Sequence, residues 1–183
     1  MTALDTRPTT TEHSPSALAY VDRTEAALRA AETPDLVALL DRQVGLMRAL
    51  VSGVAPADLH GTYAPGKWTL AESLLHVADT ERVFAYRLLR IARGDKTPLA
   101  GFDQDAWVPE SRSANRTLAD ILTEIDAVRA ATLALVRGLD DTSAQYSGTA
   151  SGNPVSVRGL AWMIAGHFDH HLELTRTRYL GAT

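Results

Sequence analysis

Four long stretches of this 183-residue chain place apolar residues at helical spacing, and turn-rich segments separate them. Leu36, Leu40, Val44, Met47, Leu50 and Val51 form the first stripe. Leu70, Leu74, Val77, Phe84, Leu88 and Ile91 form the second. Leu118, Ile121, Leu122, Ile125, Val128, Leu135 and Leu139 form the third, and Leu160, Met163, Ile164 and Leu174 the fourth. A stripe of this period has to be buried against another like it. Four such helices, with no strand-rich region competing, predict an all-α protein built as a helical bundle.

Local signals set the boundaries. Thr69-x-x-Glu72 and Thr117-x-x-Asp120 read as the N-terminal signatures of the second and third long helices. Thr33-Pro34-Asp35 reads as an N-cap, a first-turn proline and a first-turn acid. Gly53 and Gly94 stop helices. A short extra helix is expected over residues 16–32, and the last long helix over residues 156–178. Residues 1–15, rich in Thr and Pro, are expected to be a mobile tail, with residues 16–183 a single helical-bundle domain. The segment VAPADLHGTYAPGKW has room for a hairpin. Residues 95–116 read as one long loop, a length more often functional than idle.

Composition narrows the function classes. A formal net charge of −4 offers no basic field to hold nucleic acid. The chain has no cysteine, which removes disulfides, thiolate nucleophiles and Cys-type zinc sites. No run of about 18 apolar residues is present, so no transmembrane helix is expected. The first residues lack a basic start followed by an apolar segment, so a cytoplasmic location is expected.

The stretch GHFDHH, residues 166–171, holds three of the six histidines. On a helical wheel His167 and His171 fall in the middle of the fourth stripe, one turn apart, and His170 falls on its flank. Two imidazoles at that spacing can reach one ion. The run is not HExxH, so it lacks the glutamate of a zincin. His76 sits at the border of the second stripe. A histidine from one helix and an i, i+4 pair from another close three sides of a metal site, if the fold sets those helices side by side. The remaining positions would admit water or substrate. The alternative is three core histidines hydrogen-bonded to carbonyls or hydroxyls, with no metal. His13 and His60 read as solvated.

Other polar residues raise narrower expectations. Glu81 lies inside an apolar stripe and calls for an arginine or a cap contact. Arg87 reads first as half of a bundle salt bridge and second as a contact for a substrate anion. Trp68 is expected to pack the start of its helix. Phe102 and Trp107 in the long loop read as a pocket wall or a dimer contact.

Three runs together resemble the DinB/YfiT-like superfamily over residues 34–180: GKWT at 66–69, LLHVADTER at 74–82 and GHFDHH. The resemblance implies a four-helix bundle of that type, often a homodimer, with a divalent metal ion, zinc or nickel, held by three histidines. Carried onto this chain, those ligands fall on His76, His167 and His171, while His170 matches a frequent extra histidine that is not a ligand. The superfamily includes transferases that use low-molecular-weight thiols and proteins described as metal-dependent hydrolases. The resemblance therefore implies a small-molecule substrate, and the charge and the lack of a long apolar run lead to the expectation of no nucleic-acid or membrane partner. The ion would activate a low-molecular-weight thiol cosubstrate or water. A non-catalytic metal- or ligand-binding bundle of the stress-response kind is the alternative.

Overall fold

The computed structural model describes residues 2–181. Its α-helices are α1 Leu18–Ala30, α2 Leu36–Leu50, α3 Pro56–Leu59, α4 Leu70–Ala92, α5 Gln104–Glu110, α6 Leu118–Arg137, α7 Asp141–Ala144 and α8 Val157–Leu174. An antiparallel hairpin of β1 Ser147–Ala150 and β2 Asn153–Ser156 precedes α8. The long helices α2, α4, α6 and α8 make a four-helix bundle. In it α4 packs on both α6 and α8, and α2 packs on the same two. The expected extra helix is α1, which lies along α8.

Caps start these helices where the sequence places them, with one exception. The Thr69 hydroxyl accepts from Glu72 N, and the Glu72 carboxylate accepts from Thr69 N. Thr117 and Asp120 repeat this reciprocal pair at α6. At α2 the cap is Asp35, not Thr33. The Asp35 carboxylate accepts from Ala38 N at 3.0 Å. The residue before a proline is pushed towards extended backbone, so Thr33 stays outside the helix.

Two link segments differ from expectation. The 95–116 loop contains α5, because Asp103 caps it by accepting from Asp105 N and Ala106 N. The hairpin lies at 147–156 rather than in VAPADLHGTYAPGKW, where α3 and a single bridge between Thr62 and Thr69 stand instead. Its two-residue turn uses Ser151 and Gly152, both with positive φ, the backbone that a tight hairpin requires.

Two apolar clusters fill the bundle, one around Leu40, Phe84, Leu133 and Leu160, the other around Met47, Leu74, Ile125 and Phe168. Each long helix passes from one cluster to the other through a polar residue. These are Gln43 on α2, Glu81 on α4, Arg129 on α6 and His167 on α8, all buried. The core is thus crossed by a polar layer.

Within the described part of the segment expected to be a mobile tail, residues 2–15, Leu4 and Glu12 reach α8. Leu4 is buried, and its carbonyl accepts from Trp162 Nε1 at 2.8 Å. Ser156 N donates to Glu12 O at 3.0 Å. His13, expected to be solvated, is buried next to this contact, whereas His60 is exposed as expected. The contacts that tie this segment to α8 are tertiary, so no periodicity announces them.

Candidate metal centre

The histidines meet because α4 packs beside α8. His76 comes from α4, and His167 and His171 come from successive turns of α8. All three are buried. One ring nitrogen from each lies within 4.8 Å of the others. Ring centroids are 4.7 Å apart for His167 and His171, and 5.0 and 5.1 Å apart from His76 to each of them. His170 lies on the flank, half-buried, and is not in the cluster. Asp169 faces Arg23 at 3.7 Å.

The donor set suits a divalent cation. His76 Nε2 and His167 Nε2 are 3.1 Å apart. Two N–H groups cannot face each other at that distance, so at least one nitrogen presents a bare lone pair. A tetrahedral site with metal–imidazole bonds of about 2.0–2.1 Å has donor–donor edges of about 3.3 Å, close to this separation. Burial pushes His76 down to about 4, helped by the charge of His170. Burial, and then the neighbouring histidines, hold His167 and His171 well below the usual histidine value. All three imidazoles are therefore neutral near pH 7, the form that ligates.

Neighbouring side chains orient the rings. Ser73, one turn before His76, places its Oγ 3.0 Å from His171 Nδ1. That contact turns the other nitrogen of His171 towards the cluster. Thr80 Oγ1 is 3.4 Å from His76 Nδ1. The Tyr20 ring on α1 stands edge-on to His167 at 5.4 Å. It gets there because residue 166 is glycine. A Cβ at that position would lie 1.9 Å from the Tyr20 carbonyl oxygen.

A pocket of about 570 Å³ opens onto His76 and His171 and is lined also by Tyr20, Lys67, Trp68 and Asp105. Trp68, expected only to pack a helix start, faces this site with its ring 4.8 Å from His76. After α8 the chain makes a π-helical turn, Thr175–Tyr179. The Tyr179 hydroxyl donates from there to Trp68 O at 2.8 Å, tying the end of α8 to the pocket wall. Sequence reasoning did not single out Tyr20 or Ser73, since their roles depend on which helices are neighbours.

The other polar residues divide. Glu81 has the arginine it calls for: Arg129 Nε and Nη2 each donate to a carboxylate oxygen at 2.8 Å. Arg129 Nη1 also donates to Leu40 O and Gln43 Oε1. Gln43 Nε2 donates to Ala165 O at 2.8 Å, which joins α2 to α8. Arg87 has no salt bridge among the described residues. It donates from Nη2 to Ala100 O at 2.8 Å and Ser151 Oγ at 2.9 Å. Phe102 and Trp107 stack on each other at 5.0 Å.

Comparison with known proteins agrees with this architecture. The family model for the DinB superfamily matches residues 39–175. A protein from Bacillus pumilus named "Putative metal-dependent hydrolase" is 28% identical over 129 residues, covering 68% of this chain and 71% of that protein. A protein of the same name from Oceanobacillus iheyensis is 24% identical over 124 residues, covering 67% of this chain and 70% of that one. The solved structure of YfiT from Bacillus subtilis is described as a probable metal-dependent hydrolase with an unusual four-helix bundle topology. It superposes with a TM-score of 0.71 at 17% identity, over 97% of this chain and 95% of that one. At that identity the likeness is one of fold. Among the described residues no helix is long and apolar enough to cross a membrane.

Proposed function

This chain belongs to the DinB superfamily, and we propose that it is a metal-dependent enzyme whose ion is held by His76, His167 and His171. The observation that carries this reading is the convergence of three buried, neutral imidazoles with ring nitrogens within 4.8 Å of one another, two of which, His76 and His171, line an open pocket. When bound, a divalent ion lowers the pKa of a coordinated water or thiol and so supplies a nucleophile near neutral pH.

The chain's own residues do the rest. Three protein donors leave a side open towards the pocket, the arrangement of catalytic rather than closed structural sites. Ser73 fixes the ring of His171, and Thr80 lies beside that of His76. Trp68 and Tyr20 wall the pocket with aromatic surface, and Lys67, Asp105 and His170 give it polar groups to orient a small molecule. The names of the two sequence relatives favour water as the nucleophile and hydrolysis as the reaction. With no cysteine in the chain, transfer to a thiol would need a thiol cosubstrate.

The test is metal content by mass spectrometry on protein purified without an affinity tag, followed by turnover assays with small esters and amides, with and without added thiols. About one divalent ion per chain is expected, lost in His76→Ala. Failure to take up zinc or nickel after incubation would overturn the metal reading. A loaded protein inert to every substrate would overturn the catalytic one.

A further inference from the structure

Among the described residues two arginines are buried, and only one of them has a counter-charge. Arg129, 2% exposed, is matched by Glu81. Arg87, 5% exposed, meets only a carbonyl and a hydroxyl. Its guanidinium lies 5.9 Å from the centre of the Phe84 ring and 5.6 Å from that of Phe102. Both N–H bonds of Nη2 are used. Nε and Nη1 have no hydrogen-bond partner among the described residues, and they are not among the polar atoms sealed from solvent.

Arg87 lines a cavity of about 300 Å³, separate from the histidine pocket, together with Ser14, Tyr20, Phe84, Ser151 and Asn153. No carboxylate is among its lining residues. A guanidinium largely withdrawn into the protein, with only neutral acceptors, is left without a compensating charge. Hydroxyls, an amide and an uncompensated guanidinium around a void this small are what an oxyanion needs.

We propose that this cavity is an anion subsite in which Arg87, with Ser151 beside it, receives the carboxylate or phosphate group of a small molecule. The subsite is separate from the histidine pocket, although it borders it. Tyr20 lines both cavities. Phe84 stands 6.1 Å from the His167 ring and also flanks Arg87. His76 and Arg87 lie on the same helix, roughly 16 Å apart along its axis at 1.5 Å per residue.

The experiment follows the Arg87 Nε–H signal by NMR while inorganic phosphate, and separately acetate, is added at constant ionic strength. The metal content of each sample is measured alongside. A saturable shift with phosphate alone assigns a phosphate group, and one with acetate a carboxylate. Arg87→Gln should weaken the binding about tenfold or more, read on the signals of Ser151 and Asn153. Ser151→Ala, at an exposed position that leaves folding intact, should weaken it less. His76→Ala should keep it, which separates this subsite from an anion resting on the metal and keeps the two readings independently testable. No saturable shift with either anion, equal binding in Arg87→Gln and wild type, or loss of binding in His76→Ala would each overturn the proposal.

Discussion

Among the buried polar side chains of helix α4, His76 and Glu81 stand five positions apart and meet different surroundings. Glu81 finds a complete partner: both carboxylate oxygens accept from Arg129, whose remaining donors reach Leu40 O and Gln43. His76 finds no charged partner among the described residues: it meets His167, the Thr80 hydroxyl and the Trp68 ring, and a pocket opens beside it. One end of the polar layer is closed on itself, and the other leaves lone pairs directed at one point. A closed network answers the question of why polar groups are buried. An open one asks what comes from outside to complete it.

The sharpest way to break this contrast is to remove one partner from the closed end. Glu81→Ala leaves the Arg129 charge buried and unpaired, which costs about 3–5 kcal/mol. Denaturant unfolding should show that loss, while replacing Glu81 and Arg129 together by apolar residues should restore most of it. A loss in Glu81→Ala below about 1 kcal/mol would mean that water reaches Arg129 and that the end is not closed.

The open end should respond to metal rather than to substitution. With free ion at a hundred times its dissociation constant, binding stabilises the native state by about 2.7 kcal/mol. A chelator should therefore lower the wild-type unfolding midpoint and leave that of His171→Ala unchanged. Equal responses in the two proteins would remove His171 from the site.

Gly166 connects the site to the packing around it. In Gly166→Ala the added methyl would lie 1.9 Å from the Tyr20 carbonyl, so α1 must move. Overpacking of this kind costs about 1–3 kcal/mol. It should also shift Tyr20 away from His167, visible as a change in the ring-proton signals of His167. A variant with wild-type stability would show that α1 adjusts freely and does not fix the wall of the pocket.

What could be read from the chain was what local chemistry writes into it. The reciprocal caps at Thr69 and Thr117 and the four stripes need only neighbours in sequence, and they lie where expected. The pairing of His167 with His171 needs only one helix. Joining His76 to them needs α4 beside α8, which periodicity does not encode; the family resemblance supplied that expectation. Trp68 read as helix packing and His13 as solvated because their surroundings come from distant segments. The hairpin forms at Ser151-Gly152 rather than in VAPADLHGTYAPGKW, because both segments are turn-rich and only the flanking strands, which pair in three dimensions, tell them apart. Arg87 read as a salt bridge because that is what buried arginines usually make, and the missing carboxylate is visible only in three dimensions.

The smallest expected effect comes from a partly exposed copy of the closed pair. Arg158 holds Glu12 as Arg129 holds Glu81, through Nε and Nη2 to the two carboxylate oxygens. Burial raises the pKa of Glu12. Hydrogen bonds from Arg158, Thr9 and Ser156 outweigh it, and the carboxyl is pulled from 4.5 down to about 2. A native pKa below the unfolded one means that the unfolded chain binds more protons in between. The stabilisation is therefore complete above about pH 4.5 and is lost as the pH falls towards 2. Glu12→Gln should be less stable than wild type at pH 7, and the difference should shrink through that acid window, as urea midpoints across the range would record. A difference that stays constant down to pH 2 would mean that Glu12 does not stay ionised on α8. The N-terminal segment would then be held by its other contacts, among them the Trp162 Nε1 bond to Leu4 O and the Ser156 N bond to Glu12 O, without help from the Glu12 charge.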